Sequence, residues 1–160
     1  MLKMPQSPPP PNIENDNKPS KASRRPSYIR FKNTTERKVD VIWINYDGVR
    51  VKYKTLQPKE FFDVTSFVSH PWIFRDSDNH TKLICSSREI FDCPEPVYVK
   101  VNDGVRATRK LVNISLPLYS LHDCAMQAIQ KMMKDPDDVY ALEIPSSLQK
   151  ELYDRVRFAI

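Results

Sequence analysis

The hydrophobic pattern of this chain changes period once, at Pro117. Before that proline, β-branched and aromatic residues gather in eight short runs, at 28–31, 39–45, 49–53, 61–67, 71–75, 82–85, 97–101 and 111–116. Runs this short, repeated without a helical period, predict an all-β sandwich or barrel. After the proline, Leu121, Cys124, Ala125, Ala128, Ile129, Met132 and Met133 step by three and four, which predicts a helix with all of them on one face. Ser120 is its expected N-cap, with Asp123 standing where a capping box has Glu, and Asp135-Pro136 is its expected end. A second short helix is expected over 136–142. A third opens with Pro145 and Ser146 in its first turn and carries Leu148, Leu152 and Val156 as an apolar stripe. The fold class is therefore mainly β with a small α domain, a β-sandwich followed by a three-helix cluster.

The chain has two glycines, and both follow aspartate between strand-like runs, at Asp47-Gly48 and Asp103-Gly104. Asp-Gly suits the type I′ turn, whose two central residues need positive φ, so both glycines are assigned to tight hairpins. None is left for a phosphate-cradling loop.

Three segments follow. Residues 1–26 hold seven of the 14 prolines and almost no large apolar side chains, so they are expected to form a disordered arm, with Pro8 to Pro11 locally in polyproline II. The β-sandwich is assigned to 27–117 and the helices to 118–160. A helical cluster that small cannot hold a large core alone, and an apolar face left on its surface points to a permanent partner.

Lys and Arg outnumber Asp and Glu by 25 to 20, a mild excess not gathered on one helix with interleaved aromatics, so nucleic acid is not the expected partner. Cys85, Cys93 and Cys124 are odd in number and lack paired spacing, which argues against a disulfide framework and a zinc site and fits a reducing, intracellular compartment. The opening MLKMPQSPPPPN has no apolar region of the signal-peptide kind, and no run approaches a membrane span, so no membrane role is expected. His70, His80 and His122 form no metal or nucleophile motif with cysteines or carboxylates. The expected protein is non-catalytic, without cofactor or metal.

Several blocks taken together resemble one family. The run Trp43-Ile44-Asn45-Tyr46-Asp47-Gly48, then Tyr53, then Ser66, then His70-Pro71-Trp72-Ile73-Phe74-Arg75-Asp76, is similar to the β domain of the von Hippel–Lindau tumour suppressor family. Asn113-Ile114-Ser115-Leu116-Pro117-Leu118-Tyr119-Ser120-Leu121 resembles the junction into that family's α domain. The resemblance needs no gap from about Arg24 to Asp76 and extends to roughly Leu152. It implies a β-sandwich substrate receptor joined to a helical domain that binds elongin C (with elongin B) and a cullin. Such a receptor directs prolyl-hydroxylated hypoxia-inducible factor α to ubiquitination and degradation in normal oxygen, in the cytoplasm and nucleus.

By that likeness Trp43, Tyr53, Ser66, His70 and Trp72 line a 4-hydroxyproline site, with Phe67 and Arg24 near the peptide. Their chemistry suits the task. Aromatic faces can enclose a pyrrolidine ring, while a hydroxyl and an imidazole nitrogen can satisfy the added hydroxyl group. Unmodified proline would leave those groups unpaired, at about 1 to 3 kcal/mol each. Taken singly, either tryptophan reads as a sandwich core residue, His70 as a surface or capping residue, and Ser66 as nothing in particular. Departures from the family pattern flank the centre: Lys54 for a proline, Thr65 for a histidine, Phe67 for a tyrosine and Ala22 for an asparagine. They bear on the flanking peptide rather than on the hydroxyproline.

The same resemblance implies that Ser120, Leu121, Ala125 and Ile129 occupy an elongin C-binding box, with Leu121 as the deep anchor and Ala125 in a slot the family fills with cysteine. Ile144, Pro145, Leu148 and Leu152 look like the cullin-contact box that follows. Taken alone, Leu121, Ala125 and Ile129 read as ordinary core positions of a helical bundle, and the Ile144-Pro145 element at the right distance turns the reading toward the ligase box. The alternative function is a β-sandwich scaffold or adaptor that binds unmodified partners, related to matrix or microtubules, and it would have no need of Ser66 and His70.

Overall fold

The structure, a computed structural model, describes residues 2–3 and 25–159. Arg24 and the proline run lie outside the described residues. Within the expected arm, Leu2–Lys3 (β1) instead forms a short strand. Ten more strands follow: Pro26–Asn33 (β2), Val39–Ile44 (β3), Arg50–Leu56 (β4), Phe61–Phe67 (β5), Pro71–Asp76 (β6), Lys82–Cys85 (β7), Ile90–Asp92 (β8), Tyr98–Val101 (β9), Gly104–Ala107 (β10) and Lys110–Ser115 (β11). The helical part holds Leu121–Gln130 (α1), a 3-10 helix at Pro136–Ala141, and Ser146–Ala159 (α2).

Hydrogen bonding runs continuously in the order β1-β5-β2-β11-β7-β6-β3-β4, with β8 added to β6. The two halves of this path meet at β7 and fold onto one core, which makes the sandwich. Phe31 of β2 lies 5.2 Å from the Trp72 ring and 5.3 Å from the Phe74 ring of β6, so the halves touch through aromatic side chains. Strand β2 alternates buried and half-buried positions, the pattern of a strand with one face on the core. Strands β3 and β6 are buried at every position. Val39, Val41, Trp43, Trp72 and Phe74 turn to the main core, whereas Ile42, Ile44 and Ile73 pack on the opposite face with Ile90 of β8 beside them.

Neither glycine turn is type I′. Gly48 has φ of 75°, but Asp47 does not share the positive φ. The loop is instead closed on Asn45, whose side-chain oxygen accepts from the Asp47 and Val49 N–H groups at 2.9 Å and whose carbonyl accepts from Gly48 at 3.0 Å. In the second hairpin Gly104 pairs with Val101, so the two linking residues are Asn102 and Asp103, and Gly104 opens β10 with φ of 136°. Besides β1, two strands escaped the sequence reading: β8, whose three residues give no period, and β10.

The helical segment starts as expected: Ser120 Oγ accepts from the Asp123 N–H at 3.0 Å and caps α1. The helix stops at Gln130 with Lys131 as its C-cap, short of the expected end at Asp135-Pro136, so Met132 and Met133 lie outside it. Asp135 and Asp138 form a capping box at the 3-10 helix, with Pro136 in its first turn. The predicted apolar face of α1 is not its buried face. Met126, Gln127 and Gln130 turn inward, while Leu121, Cys124, Ala125 and Ala128 face solvent and Ile129 and Met133 lie between. Gln130 donates to the Arg155 carbonyl at 2.9 Å and Gln127 accepts from Arg37 at 3.0 Å, so partners inside allow two polar side chains there. Met126, Val139, Leu152 and Val156 form a small separate core.

Candidate functional site

The candidate pocket is assembled from four strands and a turn. Trp43 on β3 sits opposite Trp72 on β6, and opposite Val51 on β4. Two residues beyond Val51, on the same face, β4 presents Tyr53, whose ring lies 5.1 Å from Trp72 and 6.2 Å from Trp43. Strand β5 brings Ser66 up from the other half of the sandwich, and the Trp72 indole Nε1 donates to Ser66 Oγ at 3.1 Å. The chain then turns, with the His70 N–H donating to the Phe67 carbonyl at 3.0 Å, and this places the imidazole flat on Trp43 at 5.6 Å. Phe67 lies 5.4 Å from the same imidazole. Residues 43, 53, 66, 67, 70 and 72, scattered over thirty positions of sequence, therefore form one contact group. (Arg24 is not described.)

Trp43, Ser66, His70 and Trp72 are buried, while Tyr53 and Phe67 are half-buried, so the group meets solvent on their side. The hydroxyl of Tyr53 is buried without a hydrogen-bond partner among the described residues. An unpaired buried hydroxyl costs about 1 to 3 kcal/mol, and one set against Trp43 and Trp72 marks a place where a polar ligand would be welcome. Burial also pushes the Tyr53 phenol above its ordinary pKa, with Tyr46 adding to the effect, so it stays a neutral donor. Lys54 points elsewhere, pairing with Glu60 at 3.2 Å.

Two residues of this site were not singled out from sequence. Tyr46 packs edge-on against Trp43 at 5.4 Å and His70 at 5.6 Å, held there by the Asn45-closed turn. Its signal was present, an aromatic between a strand and an Asp-Gly pair. Cys93, in the loop after β8, is buried beside Ser66 and Trp72, and nothing in its neighbours Asp92 and Pro94 announces that.

Residues 19–97 match the family model of the VHL beta domain, which covers every pocket residue named above. The likeness continues past that domain: the chain is 27% identical over 136 residues to Protein Vhl of Drosophila melanogaster, covering 78% of this chain and 75% of that one. The chain belongs to the von Hippel–Lindau (VHL) family. VHL proteins act as substrate-recognition adaptors of ubiquitin ligases rather than as catalysts. Among the described residues, no group of three or more His, Cys, Asp or Glu side chains could hold a metal ion. No helix among them is long and apolar enough to cross a membrane.

The VHL helical segment divides the remaining expected site residues. Leu121 is 88% exposed and Ala125 is exposed beside it, whereas Ile129 leans into the helical core. Of the expected cullin contacts, Leu152 is fully enclosed and is a core residue, because α2 turns its apolar stripe onto α1 and the 3-10 helix. Ile144 and Leu148 pack against that same core, and Pro145 is left exposed.

Proposed function

We propose that this VHL-family protein binds a 4-hydroxyproline side chain of a partner, hypoxia-inducible factor α being the partner the family resemblance implies, and presents that partner for ubiquitination through elongin C, elongin B and a cullin. The observation that carries the first half is the union, in one aromatic-walled group, of Ser66, His70 and the unpaired Tyr53 hydroxyl. Aromatic rings suit the apolar face of a pyrrolidine, and hydroxyl and imidazole groups suit its oxygen. A site that holds a hydroxyl by hydrogen bonds can reject the analogue lacking it by factors of about 10⁴ in favourable cases.

The second half rests on the outward apolar face of α1. Leu121 stands almost free of its own protein, with the small Ala125 one turn later. That is the shape an amphipathic helix offers to a partner's groove. A receptor of this kind would work in the cytoplasm and nucleus, where its partners are made and used.

Calorimetry with paired peptides of hypoxia-inducible factor α, one with proline and one with 4-hydroxyproline, tests the reading. We expect measurable binding of the hydroxylated peptide alone. Equal affinity for both would overturn it in favour of a scaffold for unmodified partners.

A further inference from the structure

With β1 set aside, the hydrogen-bonded path of the sandwich ends at β5 on one side and at β4 on the other. The pocket draws on both ends, taking Tyr53 from β4 and Ser66 and Phe67 from β5. Strands β3 and β6, which carry the two tryptophans, have a strand on either side and no edge to offer. A partner's main chain leaving the pocket in extended form would therefore meet the edge of β4 or of β5. Strand addition at such an edge is a common way of holding a peptide.

The edge of β5 is already taken. Strand β1 lies along it in parallel, with Leu2 opposite Val64 and Lys3 opposite Thr65, and among the described residues it is the only strand on that side. Because the two strands are parallel, β1 runs toward the pocket end of β5, and Lys3 pairs one residue short of Ser66, a rise of about 3.3 Å. The strand on the other side of β5 is held very differently: β2 pairs with it antiparallel from Pro26 to Lys32. Strand β1 has only two residues, in the arrangement that is less stable per residue, and short terminal pairings of this kind open locally at small cost. So β2 is a permanent neighbour and β1 a displaceable one. Thr65 adds a second reason. With β1 in place its hydroxyl is buried without a hydrogen-bond partner among the described residues, a cost that a different segment supplying that partner would relieve.

We propose that β1 is a resident competitor: Leu2 and Lys3 hold the edge of β5 that an extended partner peptide takes up, and β1 leaves when the peptide binds. This rests on the hydroxyproline reading and adds an autoinhibitory contact to that site.

The test uses the full chain and the 4-hydroxyproline peptide, comparing the wild type with the double substitution Leu2→Pro and Lys3→Pro, which removes both N–H groups of β1 and alters no pocket residue. We expect the variant to bind about three- to tenfold tighter, as follows when the edge is free in about a third to a tenth of wild-type molecules. Unchanged or weaker binding overturns the proposal. Hydrogen exchange followed by NMR in the wild type gives a second reading without any substitution. Whichever of the Leu2 and Lys3 amides is protected in the free chain should exchange faster when the peptide saturates the site; equal or slower exchange means that β1 stays in place beside the peptide, and overturns the competition. A wild type that binds proline and 4-hydroxyproline peptides equally overturns instead the function on which the proposal stands.

Discussion

Single side chains decide this protein where a charge or a hydroxyl is held by more than one neighbour. Asn33 is fully buried at the end of β2, where its amide donates to the Arg37, Leu56 and Gln57 carbonyls and its oxygen accepts from Thr35, so one residue ties three chain segments. Asp63 on β5 receives two hydrogen bonds from Arg30, at 2.7 and 2.8 Å. That pairing holds its carboxyl below the ordinary range, with Arg109 helping. A carboxylate with a lowered folded pKa contributes stability above its unfolded pKa, and that contribution is lost as pH falls through the folded value. Denaturant melts at stepped pH should therefore show a loss of stability below about pH 4, smaller in Asp63→Asn than in the wild type. At this scale Trp43, Tyr53, Ser66, His70 and Trp72 were legible only through resemblance, because none of them carries a signal alone. Cys93 was not legible at all, since a buried position in an irregular loop leaves no period.

Among the elements, α1 is the instructive case. Its apolar residues fall on one face by spacing, and the usual inference sends that face inward. The structure turns it outward because Gln127 and Gln130 find partners on Arg37 and Arg155, while Met126, with Ile129 at its edge, supplies the apolar contact. Periodicity located the helix and its capped start; it could not say which side packs on the rest of the chain. The contrast between Leu121 and Leu152 follows. Leu121→Asp should abolish elongin C pull-down while leaving the melting temperature unchanged. Leu152→Ala should cost about 2 to 5 kcal/mol in denaturant unfolding, as a truncation in an enclosed core does. Retention of elongin C by Leu121→Asp would remove α1 as the docking helix. The hairpins teach the same lesson on a smaller scale, because Asp-Gly marked the turns correctly while Asn45 and the Asn102-Asp103 pair set their geometry.

Across the whole molecule, β-then-α order was legible from the change of period at Pro117, but the joint between the parts was not. Arg37, in the loop after β2, reaches Asp76 at 3.3 Å and Gln127 at 3.0 Å, and its guanidinium lies 5.6 Å from the Tyr119 ring. Tyr119 itself donates to the Lys82 carbonyl at 2.8 Å. These contacts are long in sequence and polar, so no pattern of apolar residues announces them. Arg37→Met should leave the sandwich folded yet speed hydrogen exchange in α1 relative to β3 and β6, since the helical segment loses a tether to Asp76. Exchange accelerated equally in both parts would show that the joint and the sandwich unfold as one unit. The pocket lies on the sandwich side of this joint and the exposed face of α1 on the other, so the proposed reading and hand-off would use separate surfaces. The direct measurement is a cycle that removes the hydroxyl from the peptide and from Ser66, alone and together, by calorimetry with wild type and Ser66→Ala. The account predicts a coupling of about 1 to 3 kcal/mol between the two hydroxyls; additive losses with no coupling would contradict it.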